Sequence, residues 1–302
     1  MRPWCIVPAL LLLSFAACVP ADEGLPLGAA QFTITGRGSA RELSGGIVAD
    51  GWVIHIDRFI VSFKTMTIVN LLNSDQCAYR GRGAASNVLF DGTVGSVVQS
   101  FNGIKPGACP DVGIRLGPPD DRTVLGEGGK LEDLVALASG PVQALAALEA
   151  TATHEGFPDE GIEPKLYHLK IRFDIERTST AFGGCRDAIK GAKIRPESRY
   201  ALFVDFATEA FFRDAISQPA SLRFDPFALA DQLGNGDKTI TTEELDAMPL
   251  SQARSFGSGY QLPSGGAVGS FGDYVRAQFQ FSVKFGNGGV CNGIEPGTPI
   301  DQ

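Results

Sequence analysis

The stretch "LYHLKIRFDIER", Leu166 to Arg177, decides the fold class. Leu166, His168, Lys170, Arg172 and Asp174 fall on one face of an extended chain, and Tyr167, Leu169, Ile171, Phe173 and Ile175 fall on the other. A period of two belongs to a strand, because successive side chains point to opposite faces of a sheet. The segment therefore reads as a half-buried strand, wet on one side.

The same alternation recurs along the chain. "QFTITG" (Gln31 to Gly36), "GWVIHIDRFIVSF" (Gly51 to Phe63), "TMTIVNLL", "NVLFDG" and "RYALFVDF" (Arg199 to Phe206) are rich in Val, Ile, Phe, Tyr and Thr. The 37 glycines and 18 prolines punctuate these runs often enough to mark frequent turns. Helical spacing of Leu and Ala predicts helices over "GKLEDLVALASG" (Gly129 to Gly140) and "GPVQALAALEATA" (Gly140 to Ala152), the second opened by Pro141. "EAFFRDAIS" and "ADQLGNGDKTITTEELDAMPL" add short helical pieces. The expected architecture is mainly β, an antiparallel β-sandwich with short helical insertions, in a single β-rich domain over residues 31–302. The loop-like "HEGFPDEGIEP" offers an alternative, two domains divided near residues 140–164.

The first residues give the chain an address. Arg2 precedes an apolar run from Ile6 to Leu13 that is too short for the ~20 residues of a membrane span, so residues 1–17 read as a secretory signal peptide. Phe15-Ala16-Ala17-Cys18 resembles a bacterial lipobox, which makes Cys18 the expected lipid-modified residue; an ordinary signal cleaved near Ala17 or Ala21 is the alternative. Residues 18–30, small, acidic and Pro-containing, suit a tether. No other run approaches ~18 apolar residues, so the lipid is the expected membrane attachment of an otherwise soluble domain in the periplasm or at the outer membrane. The net charge of −8 over 302 residues argues against a nucleic-acid partner.

Cys5 lies in the leader, and with Cys18 lipidated four cysteines remain: Cys77, Cys109, Cys185 and Cys291. An even number in an exported chain points to disulfides. Of the three connectivities, Cys77 with Cys109 and Cys185 with Cys291 is favoured, since it tethers a Gly-rich stretch and pins the C-terminal tail. No C-x-x-C spacing favours a cysteine metal site.

One stretch carries candidate metal chemistry, "ALADQLGNGDKTITTEELDAM" (Ala228 to Met248), which is like an EF-hand calcium loop with its first ligand displaced. With Ile240 at the apolar eighth position, Asn235 and Asp237 stand at three and five, Thr239 offers its carbonyl at seven, Thr241 its hydroxyl at nine and Glu244 a bidentate carboxylate at twelve. Leu233 then occupies position one, where it cannot ligate, and Lys238 replaces the turn glycine. A second alignment takes Asp231 as first ligand and accepts two extra residues curved by Gly234 and Gly236. The plain structural alternative is a helix-loop-helix with Thr241 or Thr242 capping the helix that starts near Glu243.

The other constellations are thinner. His55 alternates with Ile54 and Ile56 and is expected on a wet face. His154 and His168, with Glu155, Asp159 and Glu160 nearby, form a candidate copper or zinc set. The chain has no G-x-S-x-G elbow, and "RGRGAAS" has no following G-K-[ST], so neither nucleophilic hydrolysis nor phosphate-loop chemistry is expected. Asp120-Asp121 and Glu243-Glu244 read as exposed carboxylate pairs. The chain is not expected to be an enzyme.

"DGWVIHIDRFIVSF", "LRFDPFALADQLGNGDKTITTEEL" and the terminal "FGNGGVC" resemble segments of exported lipoproteins of myxobacteria and their relatives. The resemblance implies an exported, lipid-anchored domain with no particular activity, and members carrying a fuller D-x-N-G-D-G loop set off the displaced Asp231 and Lys238 here. The function expected is a lipid-anchored binding or structural protein with a weak calcium site at Asp231, Asn235, Asp237, Thr239 and Glu244; the alternative is an exported copper- or zinc-binding protein.

Overall fold

The structure, a computed structural model, describes residues 28–36, 41–69, 81–82, 87–104, 111–156, 163–178, 180–183, 199–216, 219–262, 269–285, 289–290 and 292–294. Cys18, Cys77, Cys109, Cys185 and Cys291 lie outside them, as do the signal peptide and most of the tether.

The first half runs β1 (Gly28–Thr35), β2 (Glu42–Leu43), β3 (Val53–Val69), β4 (Gly81–Arg82), β5 (Val88–Asp91), β6 (Ser96–Ile104), β7 (Asp111–Leu116), β8 (Val124–Leu125) and α1 (Leu131–Ala138). It continues through β9 (Ala144–His154), β10 (Lys165–Asp174), β11 (Ala181–Gly183), β12 (Arg199–Phe206) and a 3-10 turn, Thr208–Phe212. The last part contains α2 (Asp225–Leu233), β13 (Thr239–Thr241), α3 (Thr242–Ala247), α4 (Leu250–Ala253) and α5 (Phe271–Ser282). Three short strands follow: β14 (Val283–Phe285), β15 (Gly289–Val290) and β16 (Asn292–Ile294).

The protein is mainly β with short helices, as the alternation requires. One sheet has the order β15-β14-β12-β1-β6, and the other follows β13-β10-β9-β3-β7-β11-β16 with the short strands β2, β4, β5 and β8 beside it. Both are mixed rather than purely antiparallel: β1 runs parallel to β12, β10 to β13 and β5 to β8. β10 bears out its period of two, with Tyr167, Leu169, Ile171 and Phe173 buried and Leu166, His168 and Lys170 exposed.

Two expectations are corrected. The segment expected as a helix from Gly140 to Ala152 is instead the strand β9, bonded to β3 on one side and β10 on the other. Alanine's helical preference is outweighed by pairing on both edges, and Leu148, Ala150 and Ala152 turn inward in alternation with Glu149, Thr151 and Thr153. The separate runs "GWVIHIDRFIVSF" and "TMTIVNLL" join in the single strand β3, which bends where its register shifts at Ile56/Arg58 and again at Phe63/Thr65.

The two sheets and the C-terminal helices close on one core. Phe59 of β3, Phe173 of β10, Phe206 of β12, Phe211 of the 3-10 turn and Phe279 of α5 meet with ring centroids 4.8–6.3 Å apart. Each ring is fully buried, which stabilises the fold by about 1.5–3 kcal/mol per side chain. On the outer side of the larger sheet, α1 covers Ile60, Leu89 and Ala144 with Leu137. Arg58 of β3 anchors that helix, donating to both oxygens of Asp133 at 2.8 and 2.7 Å.

Candidate functional site

The loop between α2 and α3 is held from three directions. At the start of α2, the Asp50 carboxylate accepts the backbone N–H groups of Phe224 and Asp225 at 2.7 and 2.8 Å, two donors that a helix start leaves unpaired. The Trp52 indole donates to Asp225 Oδ1 at 2.8 Å. Burial raises the Asp50 carboxyl above the ordinary value of 3.8, while those backbone donors pull the other way. Nothing local announces this support, since Asp50 lies 174 residues from Phe224.

At the far side the loop is sewn into the sheet. Ile240 pairs with Leu169 as β13 runs parallel to β10, and its side chain is fully buried. His168 N–H donates to the Lys238 carbonyl at 2.9 Å, and Arg172 N–H to Thr242 Oγ1 at 2.8 Å. Thr241, not Thr242, caps α3. Its hydroxyl accepts Glu244 N–H at 3.4 Å, while Glu244 Oε2 accepts Thr241 N–H at 2.9 Å, a reciprocal capping box.

Between these anchors the loop arranges its oxygens in sequence. Asp231, only 1% exposed, accepts Lys238 N–H at 3.0 Å; Asn235 Oδ1 accepts Asp237 N–H at 2.9 Å; Asp237 Oδ1 accepts Thr239 N–H at 2.7 Å. Lys238 has φ +67°, the left-handed conformation that favours glycine and that the turn position of a calcium loop needs. Asp231 thus reaches across the two extra residues to the turn, whereas Leu233 ends α2 with its side chain half exposed. The longer alignment matches this geometry.

Glu244 closes the ring from the other end, its Oε1 accepting Asn235 N–H at 3.3 Å. Gly234 packs closely against it: a Cβ there would stand 2.5 Å from Glu244 Oε1 and 2.8 Å from its Cγ, so any other residue would displace the Glu244 side chain. Burial raises the Asp231 carboxyl; the Lys238 N–H lowers it, and the nearby Glu244 and Asp237 carboxylates raise it again. Glu244 is itself buried, contrary to its reading as half of an exposed pair. Its neighbour in that reading, Asp120-Asp121, is also more than a wet pair: the Lys64 ammonium bonds Asp120 at 3.0 Å and holds its carboxyl below the ordinary value.

The donors Asp231, Asn235, Asp237, the Thr239 carbonyl and Glu244 are all oxygens, the ligand chemistry of a hard cation. Among the described residues no three His, Cys, Asp or Glu side chains converge at metal-binding separation. Glu244 would have to release Thr241 N–H to present its carboxylate to an ion.

The histidines do not form one site. His154 faces the core side, edge-on to Trp52 at 5.2 Å, and its Nδ1 accepts Gly156 N–H. His168 is exposed on the opposite face, where its Nδ1 lies 3.5 Å from Thr151 Oγ1. Their places in β9 and β10 differ in parity, which the strand period makes decisive. His55 is exposed as expected and lies 3.0 Å from Asp57 Oδ1; Thr151 donates to the other oxygen of Asp57 at 2.7 Å. Of the residues near His154, Asp159 and Glu160 lie outside the described residues.

No family model, curated protein or solved structure matches the chain.

Proposed function

We propose that the chain is an exported, lipid-anchored binding or structural protein of the periplasm or outer membrane, without catalytic activity, whose Asp231 to Glu244 loop takes a calcium ion weakly. The observation that carries the reading is a gathering of like charge. Asp231, Asp237 and Glu244 belong to one short loop, near enough that the charges of Glu244 and Asp237 raise the Asp231 carboxyl though the three do not converge on one point, and among the described residues none of them has a cationic partner. Such carboxylates repel one another, and a hard divalent cation with oxygen ligands answers that charge.

In this reading Asp231, Asn235, Asp237, the Thr239 carbonyl and Glu244 hold the ion, and the ion supplies charge neutralisation that locks α2 against α3. Two features weaken binding: Glu244 gives up its hydrogen bonds to Thr241, and Lys238 adds a positive charge. The expected dissociation constant falls in the range of ~10⁻⁴ to 10⁻³ M found in extracellular modules. The anchor rests on the leader and on the Ala16-Ala17-Cys18 junction before an acidic tether.

The test is a melting curve of the purified chain in calcium and in chelator. A ligand that binds the folded state alone stabilises by RT ln(1 + [L]/Kd), so a Kd near 1 mM gives about 1.4 kcal/mol at ~10 mM calcium. Glu244→Gln should abolish the shift. Identical curves for the unmodified protein in the two buffers would leave the loop as a turn.

A further inference from the structure

Outside the calcium-like loop, a cleft of about 490 Å³ opens beside the end of β7, lined by Lys64, Arg115, Arg122 and one carboxylate, Asp120, by the neutral polar Asn87, Thr65 and Thr180, and by the apolar Leu116, Pro118 and Ile175. Its cations come from three places in the chain. Thr65 pairs with Arg115 across β3 and β7, and the register shift between Phe63 and Thr65 leaves Lys64 as well as Thr65 half exposed. Arg122 comes from the turn after β7, which Asp120 closes by accepting Arg122 N–H at 2.9 Å and Thr123 Oγ1–H at 3.2 Å.

The charges in this cleft are unevenly answered. Lys64 lies along Gly117, where a Cβ would stand 3.2 Å from its stem, and ends on Asp120 at 3.0 Å. Asn87 also donates to Asp120, so the carboxylate is fully engaged. Arg115 and Arg122 are both exposed, and neither side chain has a hydrogen bond or ion pair among the described residues. The other arginines whose side chains are described each bond a carboxylate, a carbonyl or a hydroxyl: Arg41 meets Thr93, Arg172 meets Ser139, Arg223 meets Asp214 and Arg254 meets Tyr260. Arg58, Arg177, Arg213 and Arg276 pair with acids. On a chain of net charge −8, two unanswered guanidinium groups in one concavity are the exception.

We propose that this cleft is a binding site for a small organic anion, its carboxylate or phosphate held by Arg115 and Arg122 and its carbon skeleton laid against Leu116, Pro118 and Ile175. A guanidinium presents two parallel N–H donors that match either oxyanion. The volume is that of small-molecule sites, which combine apolar walls with a few placed polar groups. Asn87, Thr65 and Thr180 add neutral polar groups to the lining.

Titration calorimetry of the purified full chain tests this with succinate, with glycerol 3-phosphate and with glycerol as the uncharged control. Saturable binding of succinate or of glycerol 3-phosphate, with none for glycerol, is the expected result, and the stronger of the two identifies the oxyanion. Arg115→Ser and Arg122→Ser should each weaken that binding about tenfold or more, the worth of one hydrogen bond to a charged group. The double variant Lys165→Ser, Lys170→Ser removes two exposed charges that do not line the cleft and should bind as the unmodified protein does. No saturable binding of either anion, or equal loss in the lysine control, overturns the proposal.

Discussion

Arg276 grips Asp246 with two nitrogens at once, Nη1 to Oδ1 at 2.7 Å and Nη2 to Oδ2 at 2.6 Å, from a position only 3% exposed on α5. Its Nε reaches Asp174 Oδ2 at 3.0 Å. Arg177, just beyond the end of β10, bonds both Asp246 and Asp273. One buried guanidinium thereby ties the end of strand β10 to α3 and α5.

Arg276→Ala should therefore be severe. It leaves Asp174 without the Arg276 guanidinium and Asp246 with Arg177 alone, a loss of about 3 kcal/mol, the lower end for breaking a buried pair. Urea denaturation should show the midpoint falling with little change in slope. Arg276→Lys should recover only part, because an ammonium cannot make the two parallel bonds.

Asp273 gives a pH dependence of defined sign. Burial alone would raise its carboxyl, but the Ser270 N–H, the Arg177 side chain and the Ser270 hydroxyl outweigh that and hold it below 3.8. A depressed carboxylate stabilises the fold above the unfolded value and loses that contribution as pH falls through the folded value. Asp273→Asn should lower stability at pH 7 by about 1 kcal/mol, since the half-exposed Arg177 is screened by solvent. It should also flatten the acid limb below about pH 4 in a thermal-melt series.

Lys238→Gly should stabilise. A non-glycine residue in the left-handed region costs about 1–2 kcal/mol, and glycine's greater freedom in the unfolded chain gives back about 0.4–1. The net gain expected is about 0.5–1 kcal/mol in chelator. Removing the positive charge should also enlarge the calcium-dependent shift, which the same melting curves record.

Cys18 is the expected lipid attachment. Cells fed a clickable fatty acid should label the protein, and Cys18→Ala should abolish the label. Labelling that survives that substitution, or its absence from the unmodified protein, would remove the anchor from the proposal.

Some of this protein was legible in its sequence because the signal was local. The alternation of Tyr167, Leu169, Ile171 and Phe173 fixes which face of β10 is buried whatever lies opposite, and Thr241 with Glu244 three residues on spells a capping box in adjacent residues. Tertiary structure alone decided the rest, because it depended on pairing between distant segments. The Ala-rich Gly140 to Ala152 run became a strand only by bonding β3 and β10 on either side, and that same register set His154 and His168 on opposite faces. The Asp231 carboxylate reaches the Lys238 N–H because α2, capped by the remote Asp50, aims it back at the turn. The cleft arises partly for the same reason: the local turn closed by Asp120 folds Arg122 back beside β7, but only the pairing of β7 with β3 at its register shift brings Lys64 and Thr65 to the same place.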